Sequence, residues 1–462
     1  MSADCKPLVT DPSETPTMTA SVPSQTKRAL VVSYDFPPNR TSAVYRMTGL
    51  TRYLPKFGWQ PTVLTIRAGE GSQEPKLLEK LPPDVHVVRT RHIRVNGWEN
   101  RAASAVQTVG GLQSTPDVLQ PRFDRYLRSV ADLVRSTLYF PDETVGWVPF
   151  ALAKAIQLYR KQPFDLVYTT TPPRSAPVIG FLLKVLYGVP WVCEFMDPWY
   201  PPKGRLRSKS EDRLQTSLFR KADRVVVMVK QHAEELRRSF HVPTEKLAVV
   251  RNGFFEEDFV SVETTQQNPL DPRHFHFSHF GSIYPDNHGN FFSALTELVR
   301  ESPELKEWIR VNIVGFPCES VLRYAREGEL KDIIQIHGFF PNRADALQMM
   351  RASHCLLLFW GRPDFSRLAV AGKTYDYLRV GRPILALTYE GGVKELVEEA
   401  QAGWVAPPEN TEAIKQALRA VLCSHRENVS GPFKPEFVAQ FRWDRQAENL
   451  ARVFDEAVSD DR

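Results

Sequence analysis

Ala29-Leu-Val-Val-Ser-Tyr34 is a short apolar run, and the loop Asp35-Phe-Pro-Pro-Asn-Arg40 follows it directly. Apolar residues then recur at helical spacing over residues 44–57, and Gly58 stands where a helix commonly ends. Residues 60–66 form a second apolar run of strand length. This order of strand, loop, helix and strand is the opening of a doubly wound parallel sheet.

The same alternation continues along the chain. Five further runs have strand length and are separated by segments of helical periodicity: residues 85–89, 165–170, 191–195, 224–229 and 247–250. A second series of strands and helices runs over residues 275–422, after an acidic stretch that contains Gln and Pro. We therefore predict an α/β protein with two Rossmann-like domains that face each other across a cleft.

The changes in pattern also predict the domain organisation. Its successive parts are a disordered tail at residues 1–26, a first domain at 27–258 with an insertion at about 67–145, a linker at 259–272, a second domain at 273–432, and a C-terminal helix at 433–462 that packs back on the first domain. The tail is rich in Ser, Thr and Pro and has no long apolar segment, so a signal peptide is not expected. No apolar run reaches the ~18 residues that a membrane span needs.

The composition excludes several classes of protein. Hydrophobic residues make up 42% of the chain, which is enough for real cores and excludes global disorder. The net charge of +5 permits an anionic substrate or membrane but does not indicate a nucleic-acid partner. Five scattered cysteines without a CxxC pair indicate neither a disulfide framework nor a thiolate metal site. We expect a cytoplasmic protein.

Two basic segments are compatible with peripheral contact at the inner face of the plasma membrane. Residues 122–138 are Arg-rich and amphipathic. The second segment holds Lys203, Arg205, Arg207, Lys209, Arg213, Arg220, Lys221 and Arg224. Each basic residue near an anionic surface would contribute ~1 kcal/mol. The alternatives are a helix packed on its own domain for the first segment and a solvated face for the second.

Several further motifs occur in a fixed order along residues 27–452. They are Pro141-Asp-Glu-Thr-Val-Gly-Trp147, Thr169-Thr-Thr-Pro-Pro173, Glu194-Phe-Met-Asp-Pro-Trp199, Asn252-Gly-Phe254, and Gly372-Lys-Thr-Tyr-Asp-Tyr-Leu378 with Val380-Gly-Arg-Pro383. Together with the opening loop they resemble the retaining family 4 (group 1) glycosyltransferases of bacterial surface-polysaccharide synthesis. The resemblance implies the GT-B fold and hexosyl transfer from a nucleotide-diphosphate sugar, held in the second domain. It also implies a sugar or lipid-linked sugar acceptor, held in the first domain.

The block at Gly372 has the features of a phosphate-binding helix start. Gly372 lacks a Cβ atom, so a phosphate could approach the backbone closely. Amides at the helix start, near Thr374, would point at the anion, and Lys373 adds a full positive charge. Asp376 could accept hydrogen bonds from ribose hydroxyls. The alternative is an ordinary amphipathic helix after a glycine turn.

A second candidate loop begins directly after the strand at residues 275–280. By analogy with the family, Gly281 and Ser282 would face the donor diphosphate. The alternative is a glycine turn that holds no ligand. Arg40, in the first loop of the chain, could reach a donor phosphate across the cleft and is the third expected catalytic residue beside Lys373 and Asp197.

The acceptor side is expected at the ends of two strands of the first domain. Asp197 follows the strand at 191–195, where open α/β sheets present ligand-contacting residues, and could orient an acceptor hydroxyl or cap a turn. Thr171 and Arg174 flank a Pro-Pro pair at the end of a neighbouring strand. Two positions depart from the family pattern: Leu368 replaces an acidic residue and Met196 replaces a His or Arg.

Other functions remain open from the sequence. His274, His276 and His279 are spaced like metal ligands, but no carboxylate cluster accompanies them, so we expect no metal and no other cofactor. A sugar-nucleotide 2-epimerase should carry more carboxylate and His groups around the cleft. The apolar Leu368 and Met196 are compatible with a degenerate GT-B protein that binds a nucleotide or a partner transferase without turnover.

Overall fold

The first domain is built on a parallel sheet of seven strands. The computed structural model describes residues 26–67, 74–93, 140–199, 209–264, 268–361, 363–427 and 433–460. The strands run in the order β3-β2-β1-β4-β5-β6-β7. They are β1 (Lys27–Val32), β2 (Trp59–Ile66), β3 (His86–Thr90), β4 (Leu166–Thr171), β5 (Trp191–Phe195), β6 (Arg224–Val227) and β7 (Leu247–Val249).

Helices cover both faces of this sheet, and the central strands β1, β4, β5 and β6 are largely buried as a result. The helices are α1 (Ser42–Tyr53), α2 (Lys76–Glu79), α3 (Val148–Lys161), α4 (Ala176–Tyr187), α5 (Lys209–Lys221) and α6 (Lys230–Phe240). A further helix, α7 (Glu256–Glu263), leads out of the first domain.

The second domain repeats the architecture with six parallel strands in the order β10-β9-β8-β11-β12-β13. The strands are β8 (Phe275–Phe280), β9 (Ile309–Val314), β10 (Ile334–Gly338), β11 (Cys355–Trp360), β12 (Ile384–Thr388) and β13 (Gly403–Ala406). The helices are α8 (Phe291–Glu301), α9 (Leu305–Trp308), α10 (Glu319–Arg326), α11 (Arg343–Ala352), α12 (Pro363–Ser366), α13 (Lys373–Val380), α14 (Gly392–Glu399) and α15 (Thr411–Arg426). Two Rossmann-like sheets in series confirm the predicted fold class.

Part of the segment that the sequence indicated as a linker is helical. Phe259 and Val262 of α7 are buried in an apolar cluster to which both domains contribute, and this burial explains why an acidic segment forms a helix. Three ion pairs attach α7 to the second domain: Arg343 binds Asp258, and Arg379 binds both Glu256 and Glu263.

The C-terminal segment returns to the first domain, as the sequence suggested. It consists of α16 (Pro435–Ala439) and α17 (Trp443–Ser459). Trp443 packs on α1 at Gly49, and Asp455 binds Lys27 at 2.7 Å. Arg224 is nearly buried and binds Asp460 at 2.7 Å, so this last member of the basic segment contacts the protein's own helix.

Gly49 is required for the close packing of α17 on α1. A Cβ atom at this position would lie inside contact distance of the Trp443 ring. Although Ala stabilises a helix relative to Gly, we expect Gly49→Ala to lower the free energy of unfolding by about 1–3 kcal/mol, since overpacking costs that much. Chemical denaturation measures this change. An unchanged or raised stability would show that α17 does not pack here.

The carboxyl ends of the two sheets face each other. After β1, Arg40 stacks on Phe339, which follows β10, with 4.2 Å from the guanidinium carbon to the ring centroid. After β6, Gln231 donates to Glu395 at the start of α14. The domains therefore enclose a cleft at the edges where parallel sheets bind ligands.

Several expectations concern residues outside the described ranges. Residues 122–138, Lys203, Arg205 and Arg207 are among them, so the membrane contact stays a prediction. Over the described parts of the chain, no helix combines the length and apolarity that crossing a bilayer requires.

Candidate active site

Lys373 and Gly281 lie together at the edge of the second sheet. Gly281 directly follows β8 and has a φ of +102°, a backbone conformation that favours glycine. A Cβ atom at this position would lie 3.1 Å from the Lys373 Nζ atom. The two loops that the sequence indicated as phosphate-binding are therefore brought together, and the absence of a side chain at Gly281 leaves the amine accessible from that side.

The helix start at Gly372 adds backbone donors to this site. The first backbone hydrogen bond of this turn runs from the Thr374 amide to the Ala371 carbonyl at 2.9 Å. The amides of Gly372 and Lys373 precede it, and helix starts offer such groups to anions. The Thr374 side chain is fully buried, and its hydroxyl has no partner among the described residues. Thr374 therefore contributes to the helix start through its backbone, because its side chain is withdrawn into the core.

Lys373 is paired with a neutral group. Its Nζ lies 3.2 Å from Nε2 of His279, and Nδ1 of that imidazole lies 3.0 Å from the Leu357 carbonyl oxygen. Burial lowers the pKa of Lys373 to about 7. Burial, followed by the charge of Lys373, holds the pKa of His279 well below its usual range. Among the described residues, no carboxylate forms an ion pair with Lys373.

The first domain reaches this site through Asn252. Its Nδ2 atom lies 3.6 Å from the position that a Cβ atom of Gly372 would take. Arg46, which is completely buried, donates to the Asn252 side-chain oxygen at 3.5 Å and to the Val250 and Arg251 carbonyls at 2.9 and 2.8 Å. These bonds hold the Asn252 loop against the start of α13.

Arg46 forms a buried ion pair with Glu194. Both side chains are fully excluded from solvent, and the Arg46 Nε atom lies 3.1 Å from Oε1 of Glu194. Thr170 donates to the other carboxylate oxygen at 3.0 Å. Arg46 therefore links Glu194 on β5 to the loop after β7, where it also binds two backbone carbonyls.

Asp376 lies on another face of α13, where Arg343 binds it through two hydrogen bonds of 2.8 and 3.3 Å. Arg343 also binds Asp258 of α7 at 2.9 Å, and its guanidinium lies over the Tyr45 ring of α1. Burial raises the pKa of Asp376, while the Arg343 charge opposes that rise. A carboxylate has about four lone-pair positions, so Asp376 keeps acceptor capacity for a ligand.

Arg40 crosses the cleft but is already engaged. Besides its stacking on Phe339, its Nε atom lies 3.4 Å from Oε2 of Glu74. Ser282, next to Gly281, is half-buried. Both residues therefore lie at the cleft, and a role for either in binding a phosphate remains a prediction.

The three residues expected on the acceptor side lie along one edge of the first sheet. Thr171 and Phe195 are paired in register, so Asp197 lies two residues beyond the neighbour of Thr171. Arg174 stacks over Trp199 at 5.1 Å and binds Glu211 at 3.1 Å. Burial raises the pKa of Asp197 to about 6. No hydrogen bond or ion pair reaches its carboxylate from elsewhere in the described ranges.

Met196 and Leu368, the two departures from the family pattern, are both buried, at 5% and 4% exposure. Met196 belongs to the apolar cluster between the domains, together with Val229 and Val370. At both positions the side chain supplies packing in place of a polar contact.

Both halves of the chain match families of known proteins. Residues 41–253 match the glycosyl transferase 4-like domain, and residues 274–424 match the glycosyl transferases group 1. Together these matches span more than three quarters of the chain. The chain belongs to the group 1 glycosyltransferases.

Among curated proteins, this group 1 glycosyltransferase is similar to WcaL of Escherichia coli K12, which is named as a colanic acid biosynthesis glycosyltransferase. The identity is 29% over 126 residues, which cover 27% of this chain and 31% of WcaL. WcaL of Salmonella typhimurium LT2 is 26% identical over 142 residues, covering 28% of this chain and 35% of that protein. The match thus spans about a third of the length of these relatives.

Solved structures show the same fold. Anabaena Alr3699/HepE in complex with UDP has a TM-score of 0.55 at 16% identity, covering 94% of this chain and 96% of that one. A glycosyltransferase from Rickettsia africae has a TM-score of 0.57 at 12% identity, with the same two coverages. These likenesses confirm the GT-B architecture of this group 1 glycosyltransferase.

Sequence reasoning missed four residues of this site: His279, Asn252, Arg46 and Arg343. His279 was considered only as a metal ligand, although a polar residue on a buried strand two positions before Gly281 signals a specific partner. Asn252 occurred in a quoted motif without a role, and Arg46 lay in the predicted helical segment 44–57 without one. Arg343 gave no signal, since an arginine at a helix start is common on protein surfaces.

Proposed function

We propose that this protein transfers a hexosyl group from a nucleotide-diphosphate sugar to a sugar or lipid-linked sugar acceptor during polysaccharide synthesis. The observation that carries the proposal is Lys373, an amine without a carboxylate partner among the described residues, which lies between the start of α13 and the open Gly281. Such a site is suited to an anion with several charged oxygens, as a diphosphate is.

In this proposal the second domain holds the donor. Lys373 and the amides of Gly372 and Lys373 bind the diphosphate, and Asp376 accepts hydrogen bonds from the ribose hydroxyls. When the bond to the sugar breaks, negative charge develops on the leaving diphosphate, and the positive groups already in place stabilise it. Since these groups supply the charge, we expect no metal requirement and no loss of activity in EDTA.

The first domain would hold the acceptor along the edge formed by Thr171, Asp197 and Arg174. Closure of the cleft would exclude water, so that the sugar passes to the acceptor and not to hydrolysis. We propose retention of the anomeric configuration, with an oxygen of the leaving diphosphate taking the proton of the acceptor hydroxyl. Asp197, in its ionised form, would orient that hydroxyl.

The relatives support the choice of substrates to test first. HepE has been solved with UDP and with UDP-glucose, and WcaL is assigned to colanic acid biosynthesis. The experiment measures nucleotide release from UDP- and GDP-sugars by the full chain, with and without sugar and lipid-linked sugar acceptors. Acceptor-dependent release supports the proposal. Binding without release indicates a degenerate GT-B protein, and interconversion of the donor without an acceptor indicates an epimerase.

The raised pKa of Asp197 predicts the pH dependence of transfer. The ionised carboxylate accepts a hydrogen bond from the acceptor hydroxyl more strongly than the protonated acid does, so kcat should fall as the pH drops through about 6, the pKa that burial gives this group. In Asp197→Asn, which cannot titrate, this acidic limb should disappear from the pH profile while kcat is reduced. A limb that persists in the variant would assign the titration to another group.

A further inference from the structure

Ring stacking and a hydrogen bond fix the orientation of His279, and the Ser282 backbone lies near the same imidazole. Its ring stacks on Phe359 with centroids 4.8 Å apart and planes 17° from parallel. Its Nδ1 atom lies 3.0 Å from the Leu357 carbonyl, which only accepts hydrogen bonds, so Nδ1 carries the proton. The Nε2 atom, which faces Lys373, is then an acceptor without charge. The fully buried position of the ring favours this neutral state.

Among the described residues, no negatively charged group lies beside Lys373 to balance its charge. On its own helix, Asp376 is bound by Arg343, and the Tyr377 hydroxyl accepts the Phe280 amide at 2.9 Å. The first-domain side chain near the start of α13 is the uncharged Asn252, and the cation Arg46 donates a hydrogen bond to it. An ammonium at this position is therefore bound by hydrogen bonds but is not electrically compensated.

We propose that His279 is the positioning residue of Lys373: as a neutral acceptor it holds the amine beside Gly281 without cancelling its charge, so that binding of an anion and uptake of a proton by Lys373 occur together. This inference rests on the proposed function, because it concerns the same diphosphate site. Anion binding favours the ammonium form over the free amine. The empty site would thus hold a mixture of both forms near neutral pH, and the occupied site would hold the ammonium.

Trace acetylation of the full chain tests the inference directly. Acetic anhydride reacts only with unprotonated amines, so the yield of acetyl-Lys373 against pH, read by peptide mass spectrometry, gives its titration midpoint. We expect a midpoint at about pH 7, well below the ~10.4 of ordinary lysines. Inorganic pyrophosphate should suppress the acetylation of Lys373 and raise the midpoint by at least about 1 pH unit, while surface lysines do not change.

Two substitutions separate a neutral partner from a charged one. His279→Gln can place a neutral oxygen near the position of Nε2, whereas His279→Glu places a carboxylate there. The Gln variant should keep the low midpoint and the pyrophosphate effect. In the Glu variant, Lys373 should titrate like an ordinary lysine. Pyrophosphate should bind this variant at least about tenfold more weakly, because the new carboxylate pairs with Lys373 in place of the ligand. Thermal melting shows whether each variant is folded.

An ordinary midpoint in the wild type, a midpoint that pyrophosphate does not move, or equal behaviour of the two variants would overturn the inference. The wild-type results alone can overturn it, even if both variants unfold. Pyrophosphate carries neither base nor sugar, so this result is independent of turnover. Acceptor-dependent nucleotide release together with an ordinary Lys373 midpoint would contradict this inference but not the proposed function. A Lys373 midpoint that pyrophosphate raises, without any nucleotide release, would contradict the proposed function but not this inference.

Discussion

Replacing Lys373 by Met should lower kcat/KM for sugar transfer by about 10²–10³, because removing one preorganised donor to a developing charge has that effect. Met keeps most of the aliphatic length of the side chain, and the variant no longer buries an amine, so the fold should persist. Most of the loss should appear in kcat, since the charge on the leaving diphosphate is greater in the transition state than in the bound donor. Steady-state kinetics with the donor and acceptor found in the release assay measure it.

Lys394→Met is the matched control for this variant. Lys394 also lies on a helix of the second domain, but its amine binds Glu390 and Glu398 on the exposed side of α14. The control should retain kcat/KM within about twofold, as expected for a surface ion pair worth ~0–1 kcal/mol. Equal losses in both variants would show a general effect of charge, and no loss in Lys373→Met would remove Lys373 from the site.

Replacing Arg46 by Met should destabilise the first domain by about 3–5 kcal/mol, because the change leaves the Glu194 carboxylate buried without its partner. It also removes the hydrogen bonds that Arg46 donates to the loop after β7. At about 2–4 °C per kcal/mol, the corresponding fall in Tm is about 6–20 °C. Calorimetry of the full chain measures this fall.

Arg52→Met provides the comparison on the same helix. Arg52 binds Glu257 near the surface, where the two side chains keep 27% and 42% of their exposure, and its loss should cost ~1 kcal/mol or less. The double variant Arg46→Met/Glu194→Leu should be more stable than Arg46→Met alone, since no buried charge is left unpaired. A double variant as unstable as the sum of its single changes would contradict the account of this pair.

Most of the fold could be predicted because its signals are local. The strands β5 and β8 begin and end at the predicted residues, since Gly or Pro and polar turns bound each apolar run. The helical start of the linker segment was not predicted. Its stability comes from Phe259 and Val262 packing between the domains, and a contact of that kind leaves no periodicity in a segment of eight residues.

The sequence predicted the parts of the candidate site that depend on backbone position, but not the contacts between side chains that are far apart in the chain. Gly281 and Gly372 follow strands or begin helices, so their place at the sheet edge follows from the alternation. The partner of Lys373 could not be inferred, because His279 lies on β8, 94 residues earlier in the chain. The engagement of Asp376 by Arg343 depends likewise on α11 packing near α13, across 33 residues of sequence.

We infer that a nucleoside diphosphate binds between Gly281 and the start of α13. Thermal melting of the wild type against UDP, GDP, ADP, CMP and dTDP, repeated with Lys373→Ala and Asp376→Ala, tests it most directly. A ligand at 100 times its Kd adds ~2.7 kcal/mol, so one nucleoside diphosphate should raise Tm by about 5–11 °C. This shift should occur in the wild type and be lost in both variants. A Tm that no nucleotide changes, or a shift that persists in Lys373→Ala, would contradict it.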